Sequence, residues 1–365
     1  MAVERFPDDF SWGVATSACL IEGAQDVDGR APSSWDTYAA RPVMIEDGTR
    51  ENVACDHYYS YRDDVRLIKY LGVGAYRFSI SWPRILPEGR GPVTEAGLDF
   101  YDRLVDALLE ARIEPWVTLY HWDLPEALQK EGGWVNRGTV DAFVELAEAV
   151  SERLGDRARN WITHNEPWCV SMLGYAQGDQ APGKRNWQEA LVVSHHLLLS
   201  HGRAVRVIRR NAAGAKVGIT VNSSRVQPAS PSEADQVAAR QFDGELNRWF
   251  LDPIYFGQYP SDVVAYHERE GRLPKGMSFV RYADLAQIHT PIDFLGVNYY
   301  SRSVVRSSEI PESENEPRTI PEPDPARLTD MGWEVYPDGL TQTLERLSSN
   351  YEPGSLIVTE NGAAY

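Results

Sequence analysis

Two glutamates carry the strongest chemical suggestion in this chain. Glu166 stands in the stretch Thr163-His164-Asn165-Glu166-Pro167-Trp168, and Glu360 stands in Val358-Thr359-Glu360-Asn361-Gly362. Taken singly, each has an ordinary reading: an Asn-Glu-Pro tripeptide as a cap or turn, and Glu360 as an acid at a turn edge. Pro167 disfavours the helical region for the residue before it, which predicts an extended Glu166. The apolar run Leu356-Ile357-Val358 reads as a core strand that ends in Glu360. Taken together the two acids say more. Paired carboxylates at strand ends can face each other across one site, and glycosidic bond cleavage needs such a pair. One protonates the leaving oxygen while the other attacks or activates water.

The ring inventory agrees with a sugar site. There are 11 Trp in the chain, which is high for its length. Trp122 and Trp168 neighbour the expected site, while Trp35, Trp134 and Trp333 are expected in loops. Any one of them could equally be core packing, but rings can cover the apolar face of a pyranose while polar neighbours hold its hydroxyls. His121, beside Trp122, could donate to a hydroxyl. No His, Asp or Glu spacing suggests a metal. His195 and His196 are adjacent on an expected helix, cannot chelate from one face and are read as packing residues. Neither GxSxG nor GxxxxGK[ST] occurs.

The elements that would position these groups alternate along the chain. Seven β-rich runs are expected, at 11–18, 75–82, 114–122, 160–166, 216–223, 293–300 and 355–361. Helical periodicity fills the gaps, as at 58–71, 97–111 and 140–154. In the last, Val140, Phe143, Leu146, Ala147, Val150 and Leu154 recur at three- and four-residue steps. This alternation predicts a parallel sheet, doubly wound or closed. The strand ends favour closure. Trp82, His121, Trp122, Asn165, Glu166, Asn222, Asn298, Tyr300 and Glu360 gather there, and a barrel puts all such ends around one mouth. The expected fold class is therefore α/β, a (β/α)8 TIM barrel. The Pro- and Glu-rich segment 308–330 interrupts the rhythm. It reads as a solvated loop that could wall the site.

Composition sets outer bounds. The chain has 365 residues, 42% of them hydrophobic, and a formal net charge of −17. An acidic chain is a poor ligand for nucleic acid or anionic membrane. The three cysteines, Cys19, Cys55 and Cys169, form no CxxC pair, and their odd number argues against a disulfide framework. A reducing compartment, the cytoplasm, is expected. The polar start, MAVERFPDDF, has no apolar h-region, and no apolar stretch is long enough to span a membrane.

The chain resembles the glycoside hydrolase family 1 β-glucosidases along its whole length. FSWGVAT, IEGA, WDTY, ACDHYYSY, YRFSISWPRILPEGRG, TLYHWDLP, NEPW, APG, DFLGVNYYSR and VTENG occur in the family's order. The resemblance implies hydrolysis of β-glycosides with retention and without a cofactor. It implies Glu166 as acid/base and Glu360 as nucleophile, with a carboxyl separation of about 5–5.5 Å. Arg77 and Tyr300 match positions that contact the nucleophile, where a cation and a phenol hydrogen bond would favour its ionised form. His121, Trp122 and Asn165 match residues that hold the innermost sugar, and Trp168 matches one on the leaving-group side. Asn298 and Trp333 complete the substrate-binding candidates. The implied partner is a small β-glycoside or oligosaccharide.

Several positions depart from the family pattern. Leu20 stands where a Gln would hydrogen-bond the sugar's outer hydroxyls, and a hydroxyl buried against it would lose about 1–3 kcal/mol. Cys19 replaces a Tyr, His164 an apolar residue, and Gln180 a frequent His. The family also continues beyond its seventh strand. The expectation is a single barrel domain over 1–365, incomplete at its C-terminal end, with seven of eight strands. A second polypeptide or self-association would then complete it, since closure is what removes unpaired strand edges. Two other readings share the fold: an enzyme of specialised metabolism acting on an unusual glycoside, and a non-catalytic sugar-binding scaffold.

Overall fold

The computed structural model describes residues 5–41, 53–310, 318–320 and 323–365. The chain forms two compact units. The first comprises Met1–Gly133, Asp141–Thr163 and Val207–Val217; the second comprises Trp134–Val140, His164–Arg206 and Gly218–Tyr365. All seven expected strands form. They are β1 (Gly13–Ala15), β2 (Ala75–Ser79), β3 (Glu114–Tyr120), β4 (Asn160–Asn165), β5 (Lys216–Asn222), β6 (Phe294–Asn298) and β7 (Leu356–Glu360), and their order in the sheet is their order in the chain.

In the first unit β1 pairs with β2 and β2 with β3, both in parallel. Every residue of β2 is buried. A parallel strand covered on both faces is mostly apolar, and the polar residues this one carries, Arg77 and Ser79, must find their partners inside. The helices α1 (His57–Leu71), α2 (Glu95–Glu110) and α3 (Gly138–Leu154) lie close to the stretches their periodicity marks. The six apolar residues singled out on α3 are all fully buried. That stripe is what holds the helix, since most helical stability in a folded protein comes from packing an apolar face rather than from propensity.

In the second unit β5 pairs with β6 and β6 with β7, again in parallel. The β6–β7 register slips by one residue: Val297 faces Val358, but Asn298 faces Glu360. Thr359 is thus an extra residue, and such bulges re-aim side chains. The reading of Leu356-Ile357-Val358 as a buried run is corrected here. Leu356 and Ile357 are half-buried and Val358 is 42% exposed. The reason is position, because β7 stands at one end of the strand order with β6 as its neighbour. Two three-residue strands, Val226–Pro228 and Ser303–Val305, pair separately and were not expected.

Of the segment 308–330, residues 311–317 and 321–322 lie outside the described residues. The rest is tied down at points. Glu309 N–H donates to Ser307 Oγ at 3.2 Å, and Thr319 N–H donates to Ala229 O at 2.9 Å. A short 3-10 turn, Pro325–Arg327, is capped by Asp324. No helix among the described residues is long and apolar enough to cross a membrane.

His195 and His196 lie on α4 (Trp187–Asn211) and are structural, as read. His195 bonds Tyr259 Oη through Nδ1 and Asp284 Oδ2 through Nε2, each at 2.9 Å, and His196 Nδ1 donates to Trp134 O at 2.8 Å. Burial lowers the pKa of both, and takes His196 to about 4. His267, fully buried against Trp249, is likewise taken to about 4 by burial and then by the Arg272 charge. Its nearest carboxylate, Glu245, is 3.8 Å away. These rings are neutral when folded, whereas the unfolded chain protonates them near 6.5. The unfolded state therefore binds more protons below that value, and stability falls as pH drops from about 6.5 to about 4. For one such ring the loss reaches about 3 kcal/mol. His267→Leu is expected to flatten this limb. Melting temperatures from pH 7 to 4.5 check it, and parallel curves for the variant and the parent would refute it.

Candidate active site

In the second unit, the ends of β4, β6 and β7 bring the two glutamates into one hydrogen-bonded assembly. Glu166 is 5% exposed. Its N–H donates to Thr220 O on β5 at 2.9 Å, and its carbonyl accepts from Val170 N at 3.3 Å. The chain thus leaves β4 and coils at once into the π-helical turn Cys169–Gln177. π-turns recur at functional sites. The expectation that Pro167 holds Glu166 extended is corrected, because Glu166 has φ +49°. The left-handed backbone is disfavoured for a residue with a Cβ, and the bonds on both sides of it supply the constraint.

Asn298 joins the strand ends. Its Nδ2 donates to Asn165 Oδ1 at 3.1 Å and to Glu166 Oε1 at 2.8 Å. Its Oδ1 accepts from Thr359 Oγ1 at 2.7 Å, and Thr359 directly precedes Glu360. Tyr300 donates its hydroxyl to Glu360 Oε2 at 2.6 Å, a bond that favours the ionised carboxylate. Cys169 senses both acids. Burial first, then the charge of Glu166, its hydrogen bond to Glu166 and the charge of Glu360 push the thiol well above its usual range. Neither Thr359 nor Cys169 was singled out from the sequence. Their positions were a usable signal, one residue before Glu360 and one helical step after Glu166.

Two tryptophans of the second unit border this assembly from different elements. Trp168 packs on the apolar cluster Val226, Ala239 and Leu246. Trp333 lies 5.3 Å from the Tyr300 ring. The turn that carries Trp333 is pinned by a bidentate Arg302–Glu334 pair at 2.6 and 2.9 Å and by Trp333 N–H to Thr329 Oγ1 at 3.2 Å. Trp134 departs from the loop expectation. It is 1% exposed in a short 3-10 turn, a core residue whose ring meets His164 at 5.6 Å.

The remaining candidates, Leu20, Arg77, His121 and Trp122, lie in the first unit. Arg77 is buried in β2, where Nε donates to Thr118 Oγ1 at 3.0 Å. His121 and Trp122 follow β3, their rings 5.3 Å apart. Trp122 has φ +83° and stacks at 6.2 Å on Trp35, which belongs to the helix Ser34–Ala39 rather than to a loop. Leu20 is 63% exposed on the one-turn helix Ala18–Ile21. Glu22 anchors that helix, accepting from Arg84 Nε at 3.0 Å and from Tyr101 Oη at 2.5 Å. IEGA is therefore a structural motif next to an open apolar side chain.

Two carboxylates at strand ends, one bonded by a phenol and the other by an amide and a thiol, match what the motifs imply, and the comparisons with known proteins agree. The profile of Glycosyl hydrolase family 1 matches residues 2–365. Beta-glucosidase A of Acetivibrio thermocellus is 45% identical over 366 residues, covering 100% of this chain and 80% of that protein. Among solved structures, the family 1 β-glucosidase from Thermotoga maritima superposes with a TM-score of 0.91 at 43% identity, covering 99% of this chain and 79% of that one. The complex of Thermotoga maritima β-glucosidase with glucoimidazole gives a TM-score of 0.90 at 44% identity, covering 98% and 79%. The expected fold class, the α/β barrel of these relatives, stands. The chain belongs to glycosyl hydrolase family 1.

Proposed function

We propose that this glycoside hydrolase cleaves small β-glucosides by double displacement, with Glu360 as nucleophile and Glu166 as acid/base, over residues 1–365 as one catalytic domain. Glu360 attacks the anomeric carbon while the proton of Glu166 passes to the departing glycosidic oxygen. Water then attacks the same carbon, gives its proton to Glu166 and releases Glu360. The observation that carries this reading is the chain of contacts from one acid to the other: Glu166 to Asn298, Asn298 to Thr359, and on to Glu360 in the next position. The Tyr300 hydroxyl on Glu360 suits a carboxylate that must be ionised to attack. Of the candidates in the second unit, Asn165 is assigned to the innermost sugar, and Trp168 and Trp333 to the leaving-group side. Three free cysteines among the described residues support a reducing cytoplasm as the site of action.

The test is intact-mass spectrometry after incubation with a 2-deoxy-2-fluoro aryl β-glucoside. The fluorine slows release of the covalent intermediate, so a one-sugar gain on Glu360 supports the reading; a gain on another residue overturns it. Leu20 offers a second check. Leu20→Gln adds a donor and an acceptor where the side chain now offers neither. It is expected to lower KM for aryl β-glucosides by roughly tenfold, equivalent to one hydrogen bond. An unchanged or higher KM would mean that Leu20 suits a different glycone.

A further inference from the structure

The Asn298 side chain has almost no contact with solvent, and its amide is engaged at both ends. An amide nitrogen carries two hydrogens. One goes to Asn165 Oδ1 and the other to Glu166 Oε1. The amide oxygen accepts from the Thr359 hydroxyl, and Thr359 Oγ1 in turn accepts from Thr220 Oγ1 at 3.3 Å. The donors run in one direction: Thr220 to Thr359, Thr359 to Asn298, Asn298 to Glu166. Because Thr220 occupies the acceptor side of Thr359, the Thr359 proton is left for Asn298. If the amide turned over, its carbonyl would face two acceptor oxygens, on Asn165 and on Glu166. The β6–β7 bulge creates this contact, since Thr359 is the extra residue between Val358 and Glu360.

A carboxylic acid has one proton for two oxygens. An oxygen that already receives an amide N–H is the poorer place for it, because two hydrogens would then converge on one another. We propose that Thr359, acting through Asn298, selects the oxygen of Glu166 that carries the proton: Oε1 is held as an acceptor, and Oε2 gives and takes the proton. This rests on the reading of Glu166 as acid/base. It also recasts Asn298, a substrate-binding candidate from sequence, as a positioning residue. The Cys169 thiol on Glu166 does not disturb the selection, since a thiol donates and accepts weakly and suits either protonation state.

Thr359→Val keeps the shape and removes the hydroxyl, which leaves the buried Asn298 oxygen without its donor, so the amide gains by turning once Glu166 is protonated and can itself supply a hydrogen. A carbonyl then faces Glu166, favours its protonated form and draws the proton to Oε1. The expected result is a loss of at least about tenfold in kcat/KM for an alkyl β-glucoside, with less than about a threefold change for 2,4-dinitrophenyl β-glucoside, whose leaving group needs no proton. The basic limb of the pH profile should move up by about one unit. Thr359→Ser should restore both. If the valine variant does not fold, Asn298→Ala deletes the donor to Oε1 directly and should move the limb the same way. Glu166→Ala is measured beside them. If Glu166→Ala discriminates between the two substrates while Thr359→Val keeps the parent profile, the inference falls and the role of Glu166 stands. Equal loss on both substrates with an unmoved limb in Thr359→Val would mean a merely structural threonine and also overturns it. If Glu166→Ala itself does not discriminate, the acid/base reading fails and the inference fails with it.

Discussion

Glu360→Gln is expected to lower kcat for aryl β-glucosides by at least about a thousandfold, some 4 kcal/mol of barrier. The change is nearly isosteric, so β7 and its pairing with β6 should persist. Tyr300 can still donate to the amide oxygen, as it does to Glu360 Oε2 at 2.6 Å. What disappears is the negative charge that attacks the anomeric carbon, and with it the ester that holds the sugar between the two steps. The variant should therefore give no one-sugar mass gain with the 2-fluoro substrate, while its melting temperature stays near that of the parent. Initial rates and intact mass on the same preparation check both statements. Residual activity within about tenfold of the parent, or an adduct on another residue, would remove Glu360 from the nucleophile's role.

The elements of the barrel were legible because they rest on local pattern. The stripe on α3 is a repeat of three and four residues, and β2 is a short β-rich run buried along its whole length. The acids were legible for the same reason, as charges placed at the ends of β-rich runs. The bonds that organise them were not. Asn298 meets Asn165 and Glu166 across 133 and 132 residues of chain, and Thr220 meets Thr359 across 139. Contacts of that separation leave no local signature. The left-handed backbone of Glu166 was misread because Pro167 speaks only for the intrinsic preference of its neighbour. Here the bond to Thr220 and the turn into the π-helix outweigh that preference. Trp134 was taken for a loop residue because a 3-10 turn of three residues has no period to detect.

Glu166→Ala should separate substrates by their leaving groups. For an alkyl β-glucoside the departing alkoxide is strongly basic, and losing the proton donor should lower kcat/KM by about 100- to 10,000-fold. For 2,4-dinitrophenyl β-glucoside the departing phenolate is stable without a proton, so kcat/KM should fall by less than about tenfold. The second step behaves differently. Water must lose a proton as it attacks the sugar, and with the base gone the covalent intermediate on Glu360 should accumulate. That lowers kcat and KM together for the activated substrate and gives a burst of phenolate in the first turnover. An anion that needs no deprotonation, such as azide, should restore kcat by releasing the sugar as a glycosyl azide. Only a residue that acts as acid in the first step and base in the second accounts for all of these effects together. Equal losses on both substrates, with no burst and no response to azide, would show that the contact between Asn298 and Glu166 serves the fold rather than the proton.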